Sequence, residues 1–200
     1  MHRLRRYDQR MRGLFWTPWL MAMALQPTAA GANEAWLIDD RSAGGAVSTL
    51  GPSWRFFTDG VMGGVSSGSM RAETVQGRSA LCLRGQVRLD NNGGFVQMAL
   101  ELPDAPPSGD WRGVEIDVLG NDRRYGVHLR TEGMWLPWQA WRASFQATPS
   151  WQRVQLPFMA FEPYRTSGTL VAQELRRVGI VAIGEAFDAE LCVARLALYR

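Results

Sequence analysis

Apolar side chains recur along this chain in short blocks, some alternating with polar residues and some unbroken for a few positions. The clearest alternation is Val114, Ile116 and Val118 around Glu115 and Asp117. A period of two is that of a strand buried on one face, which predicts Glu115 and Asp117 on a solvated outer face. Comparable blocks at 36–38, 54–57, 79–89, 95–100, 125–130, 141–145, 153–156, 178–183 and 191–199 predict about ten strands in all. Turn residues separate them at intervals of roughly ten, and no stretch sustains a 3.6-residue period. Gly85 reads as a bulge, and the turn cluster Asp90-Asn91-Asn92-Gly93-Gly94 closes 79–100 into a hairpin. A short helix is expected only at 170–177. The pattern predicts one all-β domain, an antiparallel β-sandwich of jelly-roll type.

The segment before residue 33 follows another rule. Arg10-Met11-Arg12 precedes an apolar run from Leu14 to Leu25, and Ala30-Gly31-Ala32 follows. A basic, then apolar, then small-residue order is that of a secretory signal peptide, with Met11 an alternative start. Residues 1–32 are therefore expected to be a leader and 33–200 the domain, periplasmic or secreted. No later segment is apolar for long enough to span a bilayer. All 22 cationic side chains are Arg, a bias expected of a GC-rich bacterial genome.

The leader also changes the reading of charge. The whole chain carries +3, but residues 1–32 hold five Arg and one Asp, so residues 33–200 carry −1. A nucleic-acid partner is excluded on that ground. Cys82 and Cys192 form a candidate disulfide in an exported domain; two buried thiols are the alternative.

Chemistry is sparse. After the leader the chain has one histidine, His128, set in a strand, and no nucleophile elbow, zinc or phosphate-loop motif. No enzyme, cofactor or metal is expected. Asp39, Asp40, Asp59 and Asp90 sit in turn-rich loops that suit calcium, but without diagnostic spacing, and turn capping explains them better. The densest turn signal is Thr58-Asp59-Gly60-Val61-Met62-Gly63-Gly64-Val65-Ser66-Ser67-Gly68. Asp59, Gly63, Gly64 and Ser66, with Asn91 and Asn92, are candidate binding residues. Convergence of Asp59, Asn91 and Asn92 on a cleft would signal catalysis, whereas bonding to backbone would signal structure. Asp59 is expected to bond backbone amides and Val61-Met62 to pack inward. Trp54, Trp141 and Trp151 are read as core. Trp135 and Trp138 lie in a Gly/Pro loop, with Arg123, Arg124 and Arg130 nearby. Such a loop is either a partner-binding or sugar-stacking platform, or a cover for one end of the sandwich.

Asp59 to Gly68 resembles the signature of the complex I intermediate-associated protein 30 family. Asn91-Asn92-Gly93-Gly94-Phe95 is similar to its second signature, and Trp151-Gln152-Arg153-Val154-Gln155-Leu156-Pro157-Phe158, with Phe161, to its third. The likeness runs from about Trp36 to Tyr199. It implies a galactose-binding-like sandwich and a non-enzymatic assembly factor or chaperone-like protein for respiratory-chain or other envelope complexes. The family's eukaryotic member acts on mitochondrial complex I, whereas a secretory leader points outside the cytoplasm. The alternative is a carbohydrate-binding module for an envelope glycan, recognised through the Trp135/Trp138 loop.

Overall fold

The computed structural model describes residues 35–200 and turns the alternation at Val114 to Val118 into a central strand, β6 (Gly113–Leu119). The expected leader, residues 1–32, and its expected cleavage site lie outside the described residues. The other strands are β1 (Trp36–Asp39), β2 (Arg55–Thr58), β3 (Ser67–Val75), β4 (Arg78–Val87), β5 (Phe95–Glu101), β7 (Arg123–Thr131), β8 (Ala140–Ala147), β9 (Gln152–Pro157), β10 (Glu162–Tyr164), β11 (Leu175–Ile183) and β12 (Phe187–Tyr199). They form two antiparallel sheets. The first runs β3-β4-β12-β6-β9 with β1 beside β12, and the second runs β10-β8-β7-β11-β5-β2. Leu81, Leu83, Ile116, Leu191 and Leu196 of the first sheet meet Met98, Leu100, Val127, Leu129 and Ile180 of the second in one buried core. This is the expected sandwich. No described helix is long and apolar enough to cross a membrane.

Several local expectations are corrected. The 79–100 segment is not a hairpin. β4 pairs with β3 and β12 in the first sheet, while β5 pairs with β11 and β2 in the second. The Asp90–Gly94 turn therefore carries the chain between sheets. The true hairpin is β3–β4, closed by Gln76 and Gly77, both at positive φ. β3 escapes sequence reading because it is an edge strand with few apolar residues. Gly85 is not a bulge but stands in unbroken register opposite Gly68, where a Cβ on either would strike the other strand's backbone. At 170–177 there is a single 3-10 turn, Ala172–Glu174, running directly into β11, and 162–164 forms the short edge strand β10.

Glu115 and Asp117 do face outward from β6, yet both are buried. Arginines from β9, β12 and β4 cover them. Arg153 reaches Asp117 at 2.7 Å, Arg78 reaches it at the same distance, and Arg195 pairs with Glu115. Burial pushes the Asp117 carboxyl up, but Arg153 and Arg78 more than offset it and hold its pKa below the ordinary value. The outer face of the first sheet is thus neutralised by its own ion pairs.

The same face carries the disulfide. Cys82 and Cys192 are opposed across β4 and β12, with Cα atoms 4.0 Å apart and bonded sulfurs. They form a small outer cluster with Ala80 under Trp151 and Val75. Trp151 is thus a cover over the disulfide rather than part of the main core, its indole N–H donating to Val75 O at 3.1 Å. The bond closes a loop spanning 110 residues, so the Cys82→Ala/Cys192→Ala variant should lose about 2–5 kcal/mol of unfolding free energy. Denaturant titration of the oxidised protein and the variant measures it.

Candidate functional site

The glycine-rich segment is built around an internal anion. After β2, Asp59–Met62 makes a 3-10 turn that Thr58 caps and Gly63 ends at φ 88°. Asp59 is wholly buried. Its carboxylate accepts from the Ser66 amide at 3.0 Å, the Gly94 and Phe95 amides and the Ser66 hydroxyl. Ser66 in turn accepts from the Arg88 amide at 2.9 Å. A Cβ at Gly64 or at Gly93 would collide with the Asp59 carboxyl group. Gly64, a candidate binding residue, and Gly93 therefore leave room for a side chain of the same protein. Asp59 is tied to backbone amides and, being wholly buried, opens onto no cleft.

Val61 and Met62 do not pack inward. They are 76% and 60% exposed, because the turn directs Asp59 into the domain and its two followers away from it. Asn91 is exposed at φ 56°; the Asn92 side chain lies outside the described set. The other turn aspartates also meet protein donors. Asp39 receives Trp54 Nε1 at 2.7 Å and Arg41, Asp40 receives Thr49 Oγ1 at 2.7 Å, and Asp90 pairs with Arg88. Among the described residues no three metal-ligating side chains cluster.

Of the remaining candidates, Arg124 and Trp135 border a different surface, the outer face of the second sheet, and Trp138 lies on the same loop as Trp135. Register places the outward side chains of that face in rows across the strands. One row is Arg142, His128, Gly179, Ala99 and Arg55; the next is Ser144, Gly126, Val181, Gln97 and Phe57. The middle of each row is small or buried. A Cβ at Gly179 would occupy the position of the Gln97 amide, and one at Gly126 would press on Val181 and His128. Planar side chains therefore lie flat over a low floor. Arg142 stacks on the Tyr164 ring at 3.3 Å and Arg177 on the Phe57 ring at 4.9 Å.

A hollow flanks this floor at each end of β7. One, of about 390 Å³, is lined by Arg124, Gln146, Ile183 and Glu185. The other, of about 320 Å³, is lined by Arg130, Met134, Trp135, Glu101 and Arg177. Six residues of strand separate Arg124 from Arg130, a span of about 20 Å. Arg130 donates to Met134 O at 2.9 Å and Pro137 O at 3.1 Å, which holds the β7–β8 loop upright. Trp135 stands 89% exposed on that loop and Trp138 46% exposed, so the loop is not a cover. Sequence reading found the loop and Arg124 but not Gln97, Arg142 or Arg177, which come from three different strands.

Burial sets the electrostatics here. It drives the His128 pKa down to about 3, and Arg142 adds to the effect, so the ring is neutral at physiological pH. Burial also lowers Arg177; Glu101 opposes this and the like charges of Arg130 and Arg55 reinforce it. Two outcomes are expected. Asp59→Asn should cost about 3 kcal/mol of unfolding free energy, because an amide offers one acceptor oxygen to several buried donors; denaturant unfolding at pH 7 reads it. His128 has a folded pKa below its unfolded one, so its stabilising effect exists above about pH 6.5 and is lost as pH falls. Between pH 7 and 5 the protein should lose about 2 kcal/mol that a His128→Gln variant keeps, as followed by unfolding midpoints across that range.

Comparison with known proteins places this geometry. No curated protein sequence matches the chain significantly. Among solved structures, the family 11 carbohydrate-binding module of the cellulosomal cellulase Lic26A-Cel5E of Clostridium thermocellum is similar, with TM-score 0.65 and 16% identity over 84% of this chain and 96% of that one. The family 11 module from Clostridium thermocellum in complex with a β-1,3-1,4-mixed-linked tetrasaccharide matches with TM-score 0.64 and 15% identity, over 84% and 97%. At such identity the likeness is one of fold. The profile of complex I intermediate-associated protein 30 (CIA30) matches residues 36–192, most of the chain. The chain belongs to the complex I intermediate-associated protein 30 family, and its fold is similar to that of the family 11 carbohydrate-binding modules.

Proposed function

We propose that the domain is a non-catalytic, exported binding protein that holds a glycan along the outer face of its second sheet. The observation that carries this reading is the floor around Gly126 and Gly179, overlaid by flat polar side chains and overlooked by Trp135. A sugar ring offers an apolar face and an equatorial rim of hydroxyls. An exposed indole stacks on the first, and amide, imidazole and guanidinium groups bond the second. The neighbouring fold supports the reading, since one of its members is solved with a tetrasaccharide. The exposed Trp135 and Leu136 of this chain also suit a protein partner, and the family match supports that second reading, an assembly factor for envelope or respiratory-chain proteins.

A glycan array probed with the domain distinguishes the two. The wild type should bind a defined set of oligosaccharides, and Trp135→Ala/Trp138→Ala should weaken that binding at least tenfold while leaving the thermal midpoint unchanged. A domain that binds no glycan, but captures membrane-protein subunits in a Trp135-dependent way, supports the assembly reading instead.

A further inference from the structure

The two sheets treat charge in opposite ways. On the outer face of the first, Arg78, Arg84, Arg153 and Arg195 each meet a carboxylate of Glu73, Glu115 or Asp117, and among the described arginines of that face only Arg71 is outside an ion pair. On the outer face of the second, Arg55, Arg124, Arg130, Arg142 and Arg177 face outward against Glu101 and Glu162 on the strands, with Glu185 and Glu132 at the two hollows. Arg177 pairs with Glu101 at 3.3 Å. Among the described residues Arg55, Arg124, Arg130 and Arg142 have no carboxylate partner within ion-pair distance, and Arg142 Nε is buried without a hydrogen-bond acceptor. Residues 33–200 carry −1 overall, so this concentration is local.

We propose that this face binds an acidic polysaccharide, whose carboxylate or sulfate groups are taken up by Arg55, Arg124, Arg142 and Arg177. The inference rests on the glycan reading and narrows its ligand class. A guanidinium presents a planar fork of donors that suits an oxyanion, and stacking on Tyr164 or Phe57 leaves that fork fixed in direction. Four strand spacings separate Arg55 on β2 from Arg142 on β8, about 19 Å, and Arg124 lies towards one end of the strands. A small anion would neutralise one of these charges. A polymer with an anionic group on successive residues can reach several, with its sugar rings lying over the low floor around Gly126 and Gly179.

Affinity electrophoresis of the wild-type domain through gels containing polygalacturonate, dextran sulfate or neutral mixed-linkage β-glucan tests this. Polygalacturonate or dextran sulfate should retard the protein strongly, and the one that does so identifies carboxylate or sulfate as the anionic group. Retardation should weaken as salt is raised from 50 to 300 mM. Arg142→Gln/Arg177→Gln and Arg124→Gln, at an exposed position, should each reduce affinity about tenfold or more, with circular dichroism unchanged. Arg78→Gln, on the opposite face, should bind as wild type. Equal or stronger retardation by neutral glucan overturns the acidic-ligand inference and leaves the glycan reading intact. Retention that Arg124→Gln and Arg78→Gln diminish alike also overturns it, as non-specific charge attraction. Binding to none of the three overturns the inference, and failure on the glycan array besides overturns the glycan reading.

Discussion

A buried carboxylate organises one end of this sandwich. Asp59 leaves the last residue of β2 and points into the domain, where it gathers the amides that open β5 and the amide and hydroxyl of Ser66 just before β3. β2 and β5 belong to the second sheet and β3 to the first, so a single side chain ties the two layers together. Ser66 extends the tie to Arg88 at the end of β4. Burying an ionised group is costly, and hydrogen bonds to it repay that cost only when they are nearly complete. Burial pushes its pKa up, but the Ser66 hydroxyl and the three amides outweigh that and hold it below the ordinary value. Gly64 and Gly93 follow from the same requirement, since any side chain there would displace the carboxylate.

That internal use of charge contrasts with its use on the surface. The first sheet buries Glu115 and Asp117 under arginines and closes its outer face over the Cys82–Cys192 bond. The second sheet leaves like charges gathered, and Arg130 and Arg55 press on Arg177. Unneutralised cations cost stability through mutual repulsion, which a bound anion relieves. The rigid floor beneath them limits the freedom lost on binding, because the planar groups already lie stacked on Tyr164 and Phe57. On the proposed reading, stability is concentrated on one face and recognition on the other.

Much of this was legible in the alternation of residues, and what was not has physical causes. A strand such as β6 announces itself because one face is buried, but the identical pattern arises whether its outer face meets water or a layer of arginines. A turn cluster such as Asp90–Gly94 reverses the chain equally well within a sheet or between sheets. Its composition therefore suggested a hairpin where a crossing exists. Val61 and Met62 were misplaced for a similar reason: apolarity says that burial would be favourable, while the direction of Asp59 decides that it does not happen. The Trp135 loop could be found because its aromatic and breaker residues are adjacent in sequence. Gln97, Arg142 and Arg177 could not, since only the order β8-β7-β11-β5 brings them together.

The motifs that carry the family resemblance bear on function in an unexpected direction. Asp59 to Gly68 and Asn91 to Phe95 are the two halves of the carboxylate cage. In the third motif Trp151 covers the disulfide, Arg153 neutralises Asp117, Leu156 is core, and Phe158 meets Phe161 with ring centroids 6.3 Å apart. Each of these side chains serves the integrity of the sandwich. None lies on the outward rows of the second sheet. Membership in the family therefore accounts for how this chain folds, while on the proposed glycan reading ligand choice falls to positions outside its motifs. Those positions are free to differ without disturbing the cage, because the strands that display them are held by hydrogen bonds and a core that their outward side chains do not enter.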